Sequence, residues 1–151
     1  MKKNGQPKEA VNQYIQVIRD FGDLSIVDNA KVALARIYYE TGEFDKAITI
    51  AEDFVKGRKD ELGAEAQYII GSSYRLKGDW NSAVTALLRV KYLFSPHEYW
   101  LSKAYLELGY VYEQLKDTKK ARESYQSVLK LKSNPEVIEE ARKRIQILEQ
   151  R

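Results

Sequence analysis

The stretch LKGDWNSAVTALLRV, from Leu76 to Val90, contains the signature that decides the fold. A glycine, an aspartate and an aromatic residue follow one another, and an alanine stands five positions after the glycine. Glycine tolerates the positive φ angle of a helix C-terminus, and alanine permits close contact where two helices cross. The stretch therefore predicts a helical hairpin, in which one helix stops, the chain turns and a second helix packs against the first.

The same signature recurs along the chain at a nearly constant spacing. The marker positions are Gly5, Gly42, Gly78 and Lys116, at intervals of 37, 36 and 38 residues, each followed by an alanine at Ala10, Ala47, Ala83 or Ala121. The tyrosines Tyr38, Tyr74 and Tyr112 form a second marker, with intervals of 36 and 38 residues. Two independent markers with one period indicate tandem structural repeats.

The composition agrees with a helical protein that has no covalent cross-links. The chain has 151 residues, of which 44% are hydrophobic and 31% charged, with three prolines and no cysteine. The lack of cysteine excludes disulfides and thiolate metal sites, and no apolar run is long enough to span a membrane. The basic surplus lies in residues 116–151, where acidic residues are interspersed, so we expect neither nucleic acid binding nor membrane insertion.

The repeated residues resemble the tetratricopeptide repeat family. The resemblance is carried by the order small residue, tyrosine, glycine, aromatic residue and alanine, as in LARIYYETG and IGSSYRLKG. The chain departs from the family in its period, which exceeds the usual length of about 34 residues. It also has Lys31, Gln67 and Tyr105 where the family often has tryptophan. The stretched repeats and the ending NPEVIEEARKRIQIL further resemble TolA-binding periplasmic proteins and outer-membrane assembly lipoproteins of bacteria.

The family resemblance implies an all-α fold, a right-handed superhelical solenoid of helix-turn-helix repeats with a C-terminal capping helix. We predict one domain over residues 1–151, made of a half repeat (1–22), three full repeats (27–59, 60–96 and 97–134) and a capping helix (136–150). The capping helix has an apolar side and a polar side, as the end of a solenoid requires. Because the first hairpin lacks its first helix, we expect the chain to be part of a longer protein.

No catalytic or metal site is predicted from the residues. His97 is the only histidine, so neither a Ser-His-Asp triad nor a site with two histidine ligands can form. Neighbouring acidic residues such as Glu139 and Glu140 diverge by about 100° on a helix, and the glycines follow the repeat spacing. We therefore expect no enzyme activity, no cofactor and no bound metal ion.

The family resemblance also implies where a partner binds, because the first helix of each hairpin lines the concave groove. The implied partner-binding residues are Asn29, Val32, Arg36, Tyr39, Glu65, Tyr68, Ser72, Arg75, Lys103, Leu106, Tyr110 and Glu113. Tyrosines offer flat apolar area, and arginines hold carboxylates or carbonyls. The alternative for each residue is that it is solvated or packed against a neighbouring helix. The lysine and asparagine clamp of chaperone-binding repeats is absent, so we do not expect binding of chaperone tails.

These observations predict a non-enzymatic protein–protein interaction scaffold that binds a peptide or helix of a partner in its concave groove. The resemblance places the partner in a bacterial envelope assembly and favours a periplasmic or envelope location. One alternative is a sensor or docking domain of a larger enzyme or signalling protein whose catalytic part lies outside this sequence. Another is self-association through the N-terminal half repeat, at Tyr14 and Val17.

Overall fold

Eight α-helices account for most of the residues that the structure describes. The computed structural model describes residues 6–22 and 25–150. The helices are α1 (Gln6–Asp20), α2 (Ile26–Glu40), α3 (Phe44–Phe54), α4 (Glu61–Lys77), α5 (Trp80–Leu93), α6 (Glu98–Gln114), α7 (Thr118–Leu131) and α8 (Pro135–Glu149). Within the described residues there is no strand. The predicted all-α class is confirmed.

The turn between α4 and α5 explains the order of residues in the signature. Gly78 ends α4 with φ of 80°, in the left-handed region that glycine enters without steric cost. Asp79 then begins α5, and its carboxylate accepts a hydrogen bond from the Ser82 N–H at 3.2 Å. The glycine thus stops one helix, and the aspartate satisfies an N–H group that the start of the next helix leaves unpaired.

The corresponding turn between α6 and α7 has the same geometry without a glycine. Lys116 adopts φ of 63°, and the Asp117 carboxylate accepts from the Lys120 N–H at 3.0 Å. Gly42 repeats the left-handed conformation in the first full hairpin, with φ of 81°. The first marker of the repeat, Gly5, lies outside the described residues.

The helices form two layers. Helices α2, α4, α6 and α8 make an inner layer, in which each helix contacts the next. The outer helices α3, α5 and α7 each pack against the inner helix before them and the inner helix after them. The outer helix α1 packs on α2. Among the described residues, no two of the outer helices α1, α3, α5 and α7 contact each other. Because the inner layer is the more closely spaced, the double layer curves with the inner helices on its concave side. This is the predicted helical solenoid.

Close approach of paired helices holds each hairpin together. Ala47, Ala83 and Ala121, the alanines of the repeat signature, are each completely buried. On the facing helices, Gly71 lies against Leu87 and Gly109 lies against the ring of Tyr125. A side chain at either glycine would occupy space that Leu87 or Tyr125 fills, so these glycines are required by packing.

The last helix covers the apolar end of the solenoid. The Asn134 side chain accepts a hydrogen bond from the Val137 N–H, and Pro135 occupies the first turn of α8. Val137, Ala141 and Leu148 are buried against residues of α6 and α7. The opposite side of α8 is exposed and charged, as the sequence predicts for a capping helix.

Substitution of Gly71 by alanine tests the close helix contact. An added Cβ would lie 2.5 Å from Leu87 Cδ2, so we expect Gly71→Ala to lower the free energy of unfolding by about 1–3 kcal/mol. Urea denaturation monitored by circular dichroism measures this change. Gly22→Ala is the matched control, because its Cβ would meet no side chain and its nearest contact is Ile18 O at 3.7 Å. An equal loss in both variants would contradict the packing explanation.

Candidate partner-binding surface

The concave surface formed by α2, α4, α6 and α8 is called the inner wall. All twelve residues that the sequence implied for partner binding lie on α2, α4 or α6. Most of them contact the neighbouring inner helix through polar side chains. The inner wall is therefore also part of the contact between successive repeats.

Three arginine–glutamate pairs connect the inner helices in sequence. Arg36 of α2 donates to Glu65 of α4, with Nε 2.7 Å from Oε1 and Nη2 2.9 Å from Oε2. Arg75 of α4 donates to Glu107 of α6 through Nε and Nη2. The pair between α8 and α6 joins Arg144 Nη2 to Glu113 Oε1 at 2.6 Å. Each contact is bidentate, which is the geometry that a guanidinium group favours with a carboxylate.

Each pair turns its cation outward and its carboxylate inward. The side chains of Glu65, Glu107 and Glu113 are 8%, 7% and 9% exposed, respectively. Their arginine partners are 48%, 25% and 27% exposed. The inner wall therefore exposes the guanidinium groups of these pairs to solvent and encloses their carboxylates.

The tyrosines of the inner wall form a second set of cross-helix contacts. The hydroxyl of Tyr39 lies 2.8 Å from Ser72 Oγ, and Tyr68 donates to Glu107 Oε1 at 3.2 Å. Tyr110 donates to Glu140 Oε1 of α8 at 3.2 Å. Burial, and then the charge of Glu140, raises the pKa of Tyr110 to about 12. These hydroxyl groups therefore serve the contacts between helices.

An aromatic patch surrounds Lys103 near the start of α6. Its rings are those of Tyr68, Tyr99 and Trp100, with centroids 5.6 Å apart for Tyr68–Trp100 and 4.9 Å apart for Tyr99–Trp100. Lys103 Nζ lies 4.8–5.6 Å from the three ring centroids. Burial lowers the pKa of Lys103, and the charges of Glu107, Glu65 and Glu136 oppose this effect. In the part of the chain that the structure describes, its ammonium group has ring contacts but no hydrogen-bond acceptor.

Tyr99 and Trp100 were not among the residues implied by the sequence. Tyr99 is 47% exposed and Trp100 is half-buried. Two adjacent aromatic residues in the first turn of an inner helix are a signal that could have identified this patch. The family pattern implied only later positions of the same helix, from Lys103 onward.

The implied residues differ widely in their accessibility. Val32 and Ser72 are 1% and 0% exposed, so their side chains contact only the interior. Asn29 is exposed, and Leu106 is half-buried against the core at the C-terminal end. Some of the implied residues are thus packed against neighbouring helices and others are solvated, and both of these alternatives were considered from the sequence.

The N-terminal helix has a different surface. No residue of α1 is fully buried, and Tyr14 and Val17 are half-buried. Ile15, Ile18, Leu34 and Ile50 line a cleft of about 480 Å³ between α1 and α3. This cleft lies between two outer helices and is separate from the inner wall.

Neither a metal-binding cluster nor a membrane-spanning helix occurs among the described residues. They include no group of three or more histidine, aspartate and glutamate side chains arranged to hold a metal ion. His97 begins α6, and its Nε2 lies 2.9 Å from Lys59 O. None of the helices in these residues has the length and apolar character required to cross a membrane.

The fold and the inner wall define a helical-repeat protein with a concave interaction surface. Tetratricopeptide repeat models match residues 2–56 and 32–96, and another model of the same repeat matches residues 102–135. The chain therefore belongs to the tetratricopeptide repeat family. Because these repeats are protein–protein interaction modules, the chain is a protein–protein interaction scaffold.

Solved structures of similar fold agree with this assignment. A crystal structure of MamA protein is 26% identical with a TM-score of 0.73, covering 95% of this chain and 72% of the other. A second MamA crystal structure is 24% identical with a TM-score of 0.70, covering 97% of this chain and 88% of the other. Comparison with curated proteins gives no match. The predicted right-handed solenoid of paired helices is confirmed.

Removal of Arg75 tests whether the inner wall stabilises the fold. Arg75→Met leaves the charge of Glu107 buried, so we expect the free energy of unfolding to fall by about 2 kcal/mol. Arg75→Met combined with Glu107→Gln should recover much of this loss, because no unpaired buried charge remains at this position and the amide oxygen still accepts from Tyr68. Urea denaturation of both variants measures the difference. A double variant less stable than Arg75→Met would contradict this account.

The raised pKa of Tyr110 predicts a loss of stability at high pH. The unfolded chain releases the tyrosine proton near pH 10, whereas the folded chain retains it until about pH 12. The contribution of this tyrosine to the free energy of unfolding is complete below about pH 10. It falls as the pH rises towards 12, because the unfolded state then binds fewer protons than the folded state. Urea denaturation at several pH values should show a smaller decline for Tyr110→Phe than for the native chain. Identical pH dependence would contradict this prediction.

Proposed function

We propose that this chain is a non-enzymatic scaffold whose inner wall binds an extended peptide or a helix of a partner protein. The observation that carries the proposal is the continuous series of cations and aromatic rings across the inner helices. Arginine and aromatic side chains are enriched among the residues that contribute most to protein–protein binding. The aromatic patch adds the exposed ring of Tyr99 to this series.

The carboxylates and the histidine that could act as a catalytic acid or base are occupied in internal contacts, which supports a role without catalysis. Glu65, Glu107 and Glu113 are each held by an arginine, and the histidine contacts a backbone carbonyl. A catalytic acid or base requires access to a substrate proton, which these enclosed carboxylates lack. The inner wall instead offers an extended surface of the kind on which repeat proteins bind other chains.

The partner is proposed to belong to a bacterial envelope assembly. This part of the proposal is supported by the stretched repeats and the capping helix, which resemble those of envelope proteins. The second candidate is a sensor or docking domain of a larger protein. It uses the same inner wall, and the family membership supports either role.

A comparison of two exposed tyrosines tests binding at the inner wall. Peptides are selected on the native chain from a library of short random peptides, and their affinities are measured by fluorescence anisotropy. Tyr99→Ala should weaken binding about tenfold, because it removes an exposed ring from the aromatic patch. Tyr92→Ala is the matched control, because Tyr92 is 69% exposed but lies on the outer helix α5.

Two results would count against the proposal. One is that Tyr99→Ala and Tyr92→Ala affect binding equally, which would place the peptides elsewhere. The other is that no peptide is selected on the native chain. Thermal unfolding of both variants serves as the control for intact folding.

A further inference from the structure

We propose that the inner wall recognises an acidic segment, whose internal aspartate or glutamate side chains bind Lys103 and the unused guanidinium ends of Arg36 and Arg75. An apolar side chain next to these acids would pack on Tyr99. This inference rests on the proposed function and specifies the chemistry of the partner. It concerns the wall formed by α2, α4 and α6.

Both arginines retain free N–H donors. Arg36 and Arg75 contact their glutamates through Nε and Nη2. Among the described residues, Nη1 of these arginines has no acceptor. A guanidinium group has five N–H donors, so each of these arginines can bind a second acceptor without leaving its glutamate. Arg58 is different, because it uses Nε, Nη1 and Nη2 on Asp60 and Asp28.

A partner meets the cations of these pairs before it meets their carboxylates. The carboxylates of Glu65 and Glu107 are more than nine-tenths buried beneath their arginines. A segment lying on the wall therefore approaches the cations more closely than the acids. Electrostatic complementarity at short range selects an acidic segment over a basic one.

Lys103 occupies a position suited to bind a carboxylate of the segment. Its ammonium group carries three donors, and within the described chain it lies against aromatic rings and near the charges of Glu107, Glu65 and Glu136 but has no hydrogen-bond acceptor. A carboxylate placed on the open side of these rings would supply the missing acceptor in a partly dehydrated setting, where a charge-assisted hydrogen bond is stronger. Tyr99 borders this position and offers an apolar surface to the next side chain.

Acidic groups define the end of the proposed site. Glu136 and Glu140 lie on α8, and Glu140 accepts a hydrogen bond from Tyr110. Their charges repel an acidic segment, so the segment is expected to lie over α2, α4 and α6 and to end before α8. Acidic side chains within the segment are favoured over the carboxylate of a chain terminus. Chaperone-binding repeats hold such a terminal carboxylate with a lysine and asparagine clamp, and the asparagine positions of that clamp are occupied here by Arg36, Ser72 and Tyr110.

The test uses the random peptide library with both peptide ends blocked, so that no terminal carboxylate contributes. The selected pool should be enriched in aspartate and glutamate relative to the starting library. A selected acidic peptide and its asparagine and glutamine counterpart are then compared by fluorescence anisotropy. Lys103→Met should weaken binding of the acidic peptide about tenfold, which corresponds to one charge-assisted hydrogen bond, and leave the amide peptide unchanged.

The variants separate charge from folding and position. Lys103→Met retains the aliphatic stem and removes no internal hydrogen bond, so its melting temperature should fall little, by the loss of the ring contacts alone. Lys103→Arg should keep most of the affinity, because it restores the charge. Lys91→Met is the matched control, since Lys91 is an exposed lysine beside the ring of Tyr92 on the outer helix α5.

Each result decides between the two proposals. Acidic peptides whose binding depends on Lys103 and not on Lys91 support the inference. Selected peptides without acidic enrichment, or with affinity unaffected by Lys103→Met, overturn it. If Tyr99→Ala still weakens the binding of these peptides, the proposed function is supported and only the proposed acidic specificity fails. If no peptide is selected, both proposals fail.

Discussion

The close crossing of paired helices is the constraint on which the rest of the structure depends. Gly71 and Gly109 lie against Leu87 and Tyr125, and the signature alanines on the facing helices are completely buried. This spacing brings each of the outer helices α3, α5 and α7 between two inner helices and leaves the inner helices in contact with one another. The concave wall is therefore a consequence of small side chains at the crossing points, because bulkier residues would separate the two layers.

The inner wall combines stability with recognition. A buried carboxylate is costly unless it is paired, and each of Glu65, Glu107 and Glu113 is paired by an arginine from a neighbouring inner helix. Because the arginine covers the carboxylate, the same contact that joins two repeats also gives the surface a cationic character. Binding and folding are thus coupled at these residues. Lys103 and Tyr99 are different, because in the described part of the chain their side chains contribute to the surface without pairing a buried charge.

Much of the architecture could be predicted, but less of the site could. The helical hairpins, their turns and the capping helix follow from residues that lie close together in sequence, such as Gly78 and Asp79. The repeat pattern also placed the implied binding residues on the inner helices. It did not predict that Val32 and Ser72 are buried. It also missed Tyr99 and Trp100, because the family positions begin later in α6. Lys116 shows a further limit, since the repeat pattern aligned it with the marker glycines but did not predict that a lysine would adopt their left-handed φ.

The sequence by itself determined the repeated unit and the absence of cysteine chemistry, because helix periodicity, helix stops and crossing residues act over a few neighbouring positions. Only the tertiary structure decided which charged groups meet. Arg36 and Glu65 are 29 residues apart, and Arg75 and Glu107 are 32 residues apart. These pairings differ in position from one repeat to the next, so the period does not predict them. They arise from the stacking of successive hairpins, which brings distant side chains together and buries one member of each pair beneath the other.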